Sequence, residues 1–147
     1  MHRDIDIVFR HGGCAGRQLA SIDWQNNPLG PVADWSPSLR ISAQTMLASY
    51  FPKALVWGPE MITLHNDAFL PILGRKPSAQ GRSFADVWAE AWPEIGPIAR
   101  KAMSGTATFI ENFPLRIERN GFTENCHFTF CYGPARNEAG EVEGVID

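Results

Sequence analysis

From Phe109 onward the apolar residues fall on every second position. Phe109, Glu111, Phe113, Leu115 and Ile117 alternate with Ile110, Asn112, Pro114 and Arg116, and Phe122, Cys126, Phe128, Phe130 and Tyr132 alternate with Thr123, Asn125, His127, Thr129 and Cys131. Successive side chains of a strand point to opposite faces, so the pattern specifies two strands with one apolar face each. A one-residue slip in either would turn its whole apolar set toward water. Asn120 and Gly121 lie between the two runs, residue types that tolerate the positive φ values of a type I′ turn, and their placement predicts a tight hairpin. Residues 137–140 supply a second turn before a third strand over 142–146, which extends the hairpin into a meander.

Upstream, the period is helical. Ser36 precedes Pro37, and Leu39, Ala43, Met46, Leu47 and Tyr50 follow at the spacings of an amphipathic helix with an N-cap and a proline at its first position. Pro52 halts it. The run KALVW at 53–57 reads as a strand closed by Gly58 and Pro59, and 61–65 returns antiparallel to it. Asn66 and Asp67 are suited to cap the next helix, which Pro71 and Gly74 keep short or kinked. Residues 75–91 read as loop and single helical turns, with Phe84 and Trp88 four apart on one face. From Pro93, the positions Ile95, Ile98, Ala99, Ala102 and Met103 predict another helix, with Pro97 admissible only in its first turn and Gly105 as its C-cap. Residues 1–36, rich in Gly, Pro, Asn and Asp, read as an N-terminal arm with one short helix over 16–22. The order predicts an α+β fold: five strands in one antiparallel sheet, with the helical segment crossing one face.

A chain of 147 residues with 44% hydrophobic side chains is long enough for one core without disulfides or a structural metal. Its cysteines, Cys14, Cys126 and Cys131, are odd in number and lack a CxxC spacing, so free thiols are expected. Thirteen basic against sixteen acidic side chains, evenly mixed, leave no basic face for a nucleic-acid backbone. No apolar run approaches the ~20 residues that cross a bilayer, and the start MHRDIDIVFR lacks a secretory h-region, so no membrane insertion and a cytoplasmic location are expected. GxSxG, GxxxxGKS and HExxH are absent, and no paired carboxylates suggest an acid and base couple. Catalysis by this chain is not expected.

The segments DWQNNPLGPVADWSPSLR (23–40), MLASYFPKALVWGPEMITLHNDAFLPILG (46–74), VWAEAWPEIGP (87–97) and HFTFCYGPARNEAGEVEGV (127–145) carry a family resemblance. In wording and order they resemble PAS domains, and most closely the N-terminal PAS sensory domains of bacterial sensor histidine kinases, including hybrid ones. The resemblance implies a PAS domain over 37–147 behind the arm 1–36, a sheet in the order 2-1-5-4-3, and short helices on one face enclosing a cavity. It also implies a role in sensing or association, with a downstream kinase module of a two-component system in a longer parent. The chain itself contains no histidine phosphorylation box and no ATP-binding segment, and it ends at Asp147 inside what reads as a strand, so it is expected to be cut in or near its last strand.

Within that frame, Trp57, Phe69, Phe84, Trp88, Phe128, Phe130 and Tyr132, with His65 and Asn66 as polar members, are the candidates to line a pocket for a small apolar or aromatic ligand. Asn66 also reads as an N-cap accepting from Phe69 or nearby amides. Haem is not expected, since the helix from Pro93 holds no histidine and His65 and His127 sit in strands. Flavin is not expected either. Asn125, Cys126, His127 and Phe128 echo the Asn-Cys-Arg-Phe wording of light-sensing relatives, whose reactive cysteine lies on a mid-domain helix, whereas Cys126 falls in a strand after the hairpin. The stripe of Leu39, Met46 and Leu47, together with the uncovered sheet face, is the expected homodimer surface. The alternative reading is a ligand-free PAS dimerisation module, and a weaker third is a small α+β enzyme.

Overall fold

The computed structural model describes residues 2–147, and Met1, the first position of the expected arm, lies outside them. The strands are β1 (Ala54–Trp57), β2 (Ile62–His65), β3 (Thr108–Ile117), β4 (Glu124–Arg136) and β5 (Val142–Ile146). They form one antiparallel sheet in the order β2-β1-β5-β4-β3, as the resemblance implied. Both faces of the β1–β2 half are buried. Ala54 and Val56 point to an inner face shared with Val145, while Leu55, Trp57, Ile62 and Leu64 point to an outer face.

The inner face is covered by α4 (Leu70–Leu73), α5 (Phe84–Val87) and α6 (Trp92–Met103). Phe69, Leu73, Phe84, Val87, Ile95 and Ala99 pack there against Ala54, Val56, Leu115 and Ile117. Pro97 sits in the second turn of α6, not the first as the sequence reading required. The helix absorbs the loss because the N–H that Pro97 lacks would have served Pro93 near the helix start, on an exposed side.

The outer face is covered by residues expected to form an arm. Residues 2–36 contain α1 (His2–Phe9) and α2 (Gly13–Ala20) and 3₁₀ turns at Trp24–Asn26 and Val32–Asp34. Their Phe9, Leu19, Trp24 and Trp35 join Leu55, Trp57, Ile62 and Leu64 in a second core. Trp24 and Trp35 meet edge to face at 5.0 Å, and each indole N–H is satisfied locally, by Leu19 O at 2.9 Å and Gly30 O at 2.8 Å. A Cβ at Gly16 would come 2.3 Å from the Phe9 carbonyl, so this glycine allows α1 and α2 to cross closely. The helix expected over 16–22 starts three residues earlier because Asp67 accepts from the amides of Cys14 (3.2 Å) and Ala15 (2.6 Å). That cap comes from 52 residues away.

α3 (Pro37–Leu47) has the predicted start: the Ser36 hydroxyl accepts from Leu39 N–H at 3.2 Å, with Pro37 in the first turn. Its stripe is not free to form a dimer surface. Leu39, Ala43, Met46 and Leu47 are buried against the outer face of this same chain, and Tyr50, beyond the helix end, is 99% exposed. The uncovered sheet face expected beside it is covered by the same second core over β1 and β2, while the outer positions of β4, Asn125, His127, Thr129 and Cys131, stay exposed.

β3 and β4 pair as predicted, with two corrections. The connection is a loop over 118–123, not a two-residue turn at Asn120 and Gly121, and it leaves Phe122 exposed outside β4. A bulge lies between the Ile110–Phe130 and Phe113–Phe128 pairs, with Asn112 at φ 50° and its amide donating to Thr129 Oγ1 at 3.2 Å. Glu111 and Asn112 oppose the single residue Thr129, and the one extra residue reverses the parity of the strand start. Ile110 therefore shares the face of Phe113 and Leu115, while Phe109 is 68% exposed. The turn at 137–140 forms as expected, with Asn137 Oδ1 accepting from Ala139 and Glu141.

Because Met46 is 1% exposed in the second core, Met46→Ala should destabilise the chain by about 2–5 kcal/mol, read as a fall in urea midpoint at unchanged m-value. An unchanged midpoint would mean that α3 does not pack on the sheet.

Candidate functional site

Between the inner sheet face and its helical cover lies a cavity of about 510 Å³. The strand period builds its wall: Phe128, Phe130 and Tyr132 are alternate residues of β4, facing Phe113 and Ile110 across the β3 pair. Phe130 lies 4.9 Å from Tyr132 and 5.9 Å from Phe113, centroid to centroid. Phe69, from the turn after β2, and Trp88, following α5, close the opposite side with Ile72 and Ile95, while Leu115 and Ile117 extend the floor. Phe51, Pro52 and Lys53 form the rim before β1.

One acid reaches this apolar volume. Asp147 exchanges both backbone hydrogen bonds with Ala54, at 2.8 and 3.0 Å, which places it on the inner face between Ala54 and Tyr132. Desolvation pushes its carboxyl up to about 7. Burial, and secondarily the Asp147 charge, raises the Tyr132 hydroxyl well above the usual phenol range. Tyr132 is 4% exposed, and its hydroxyl makes no hydrogen bond among the described residues.

Of the residues expected to line a pocket, Phe69, Trp88, Phe128, Phe130 and Tyr132 are brought together around the cavity. Trp57 is a correction: it lies on the outer face, against the N-terminal helices, because the odd residues of β1 point that way. Phe84 packs below the cavity, edge-on to Tyr132 at 6.0 Å, and does not line it. His65 and Asn66 also stand behind the wall. The His65 ring lies 5.6 Å from that of Phe69, with Nδ1 2.9 Å from Asn66 O. Its pKa is lowered by burial, against the opposing effects of the Asn66 carbonyl and Asp67. The Gln80 side chain pairs with its backbone like a strand, accepting from His65 N at 2.9 Å and donating to His65 O at 2.8 Å.

Asn66 performs the predicted capping and more. Its Oδ1 accepts from Phe69 N (3.2 Å) and Lys53 N (3.1 Å), and its Nδ2 donates to the carbonyls of Met46, Ser49 and Phe51 at 3.1, 3.2 and 2.8 Å. One fully buried amide thus holds the end of α3, the cavity rim and the cavity wall in register. Sequence reasoning missed Asp147, Lys53, Phe51, Ile72, Ile95, Leu115 and Ile117 as lining residues. For Asp147 a signal existed, since it shares strand parity with Val145 and is therefore an acid at an inward position. Among the described residues no His, Cys, Asp and Glu side chains cluster in a way that would hold a metal ion, and no helix is long and apolar enough to cross a membrane.

Asn66→Ala removes these bonds and strands buried carbonyls, so a loss of about 2–4 kcal/mol is expected in chemical denaturation. A second expectation concerns pH. The folded pKa of Asp147 lies above its unfolded value of 3.8, so the folded state binds the extra proton. The associated stability is complete below about pH 4 and is lost as pH rises through about 7. Asp147→Asn should therefore gain stability relative to the wild type across that window in paired urea titrations; parallel pH profiles would show that the carboxyl is not desolvated.

No family model and no curated protein matches the chain. Among solved structures, one described as that of an RNA-binding light-oxygen-voltage receptor superposes with a TM-score of 0.52 at 21% identity, over 72% of this chain and 31% of that one. The chain thus spans about a third of that protein's length. At this identity the likeness speaks to the fold. With the sheet order 2-1-5-4-3 and the short helices over one face, it makes the fold PAS-like.

Proposed function

We propose that this chain is the sensory module of a larger signalling protein, a bacterial two-component histidine kinase, in which a small apolar or aromatic ligand in the cavity regulates the output. The observation that carries the reading is the largely apolar, half-open cavity of about 510 Å³ between the sheet and α4–α6. Its size is that of pockets that engulf a drug-sized molecule, and its few polar groups suit orientation of a ligand rather than catalysis. The PAS-like fold supports the sensory part, and the light-oxygen-voltage description of the matched structure agrees with it. The kinase parent and the cytoplasmic setting rest on the sequence resemblance. The sensing unit runs over 37–147, with the N-terminal helices as its packed cap. A ligand at about 100 times its dissociation constant stabilises the bound form by ~2.7 kcal/mol, enough to move a balanced equilibrium when the other state does not bind.

The rival reading is a ligand-free dimerisation module; under either reading, the stripe of Leu39, Met46 and Leu47 expected as a homodimer surface is consumed internally. Native mass spectrometry of the purified chain tests the sensory reading. A bound small-molecule mass is expected in the wild type and its loss in Ile72→Trp, which fills the half-buried lining. Repeated preparations without added mass, together with no saturable binding of 3-ethylindole by calorimetry, would sink it.

A further inference from the structure

The cavity has a polarity that its apolar lining does not by itself require. Asp147 is the acidic side chain among the lining residues, and Tyr132 beside it is buried, with no side-chain hydrogen bond among the described residues. A carboxylate held among aromatic rings is costly unless it is protonated or meets a cation or hydrogen-bond donor. The rim lysine does not serve: Lys53 Nζ is 6.0 Å from the centre of the Phe51 ring, and no ion pair joins it to Asp147. Ring faces also attract cations, so the walls and the acid favour the same sign of charge.

We infer that the cavity takes an aromatic ligand bearing one cationic amine, with its rings among Phe69, Trp88, Phe128 and Phe130 and its ammonium against the Asp147 carboxylate. The amine N–H groups donate to the carboxylate, and the Tyr132 hydroxyl, adjacent in the sheet, gains Asp147 or a polar ligand atom as acceptor once the site is filled. This rests on the proposed sensory reading and narrows its ligand class. The ordinary occupant of a cavity of this kind would be a neutral ring; the half-buried acid is what selects against one.

The binding is also tied to pH. The charged or titratable groups facing Asp147 are Tyr132 from β4, and Lys53 and His65 from the β1–β2 side. α6 presents Ile95 and Ala99 inward, with Glu94, Arg100 and Lys101 exposed. Burial lowers the His65 pKa from its usual 6.5, so Asp147, with its carboxyl at about 7, is the group that changes charge about neutrality.

Calorimetric titration of the whole chain with tryptamine, its neutral analogue 3-ethylindole and the anion indole-3-propionate tests the inference. Tryptamine should bind about tenfold more tightly than 3-ethylindole at about pH 8, with the anion weakest, a margin in keeping with one charge-assisted hydrogen bond. The affinity for tryptamine should rise roughly tenfold from about pH 6 to about pH 8 while that for 3-ethylindole stays flat. In Asp147→Asn the pH dependence should vanish and the preference for tryptamine should fall, the α-carboxylate of the same residue staying ionised throughout. Equal affinity for amine and neutral ring in the wild type overturns the amine assignment and leaves the cavity reading standing, as does a preference undiminished in Asp147→Asn. Failure of all three probes to bind the wild type overturns both. The pH series uses the wild type alone, so the inference stays testable even if the variant misfolds.

Discussion

The short ribbon of β1 and β2 is buried on both faces, and the rest of the molecule is arranged to satisfy that condition. Four consecutive residues in each strand are inaccessible, so the ribbon needs apolar cover from two directions. α4 to α6 supply the inner cover and α1 to α3 the outer one. β3 and β4 are buried on one face only, and their outer positions, such as Asn125, His127 and Thr129, are exposed. This asymmetry explains why the N-terminal segment folds at all. Two eight-residue helices are marginal in isolation, and they persist here because Leu55, Trp57, Ile62 and Leu64 give them a surface to bury.

The cavity arises where the doubly covered half meets the singly covered one. On the inner side, Ala54 and Val56 are small and allow the cover to approach closely. Phe128 and Phe130, on β4, are large but only partly buried, and the bulge at Asn112 bends the β3 partner that would otherwise press against them. Rings of this size pack at edges and angles, as the 88° between Phe113 and Phe130 illustrates.

What could be read in the residues was whatever is decided locally. Ser36 and Pro37 start α3 through contacts within its first turn, and Asn137 builds its own turn, so both were visible in sequence. The meander was legible because period two persists over many residues. Phe109 and Ile110 are both apolar, however, and nothing local tells which one the bulge will turn inward. KALVW posed the same difficulty: a run buried on both faces carries no alternation, so the side taken by Trp57 was invisible. α1 was missed, and the start of α2 misplaced, for a different reason, since the cap of α2 is Asp67 and the partners of Trp24 and Trp35 lie across the sheet. In the candidate site, Phe128, Phe130 and Tyr132 followed from β4 alternation and Phe69 and Trp88 from the family resemblance, whereas Asp147 became meaningful only once its pairing with Ala54 fixed its direction.

Asn66 and Asp67 connect these parts. Asn66 binds the rim at Phe51 and Lys53 and caps the turn carrying Phe69, so two sides of the cavity meet at one amide. Its neighbour Asp67 holds the first turn of α2 on the far side of the sheet. An occupant that displaces Phe69 or Phe51 therefore strains a site whose next residue anchors the N-terminal cap, without any need for the sheet itself to deform. Such a connection transmits only what the ligand supplies as a difference in affinity between two arrangements of that junction.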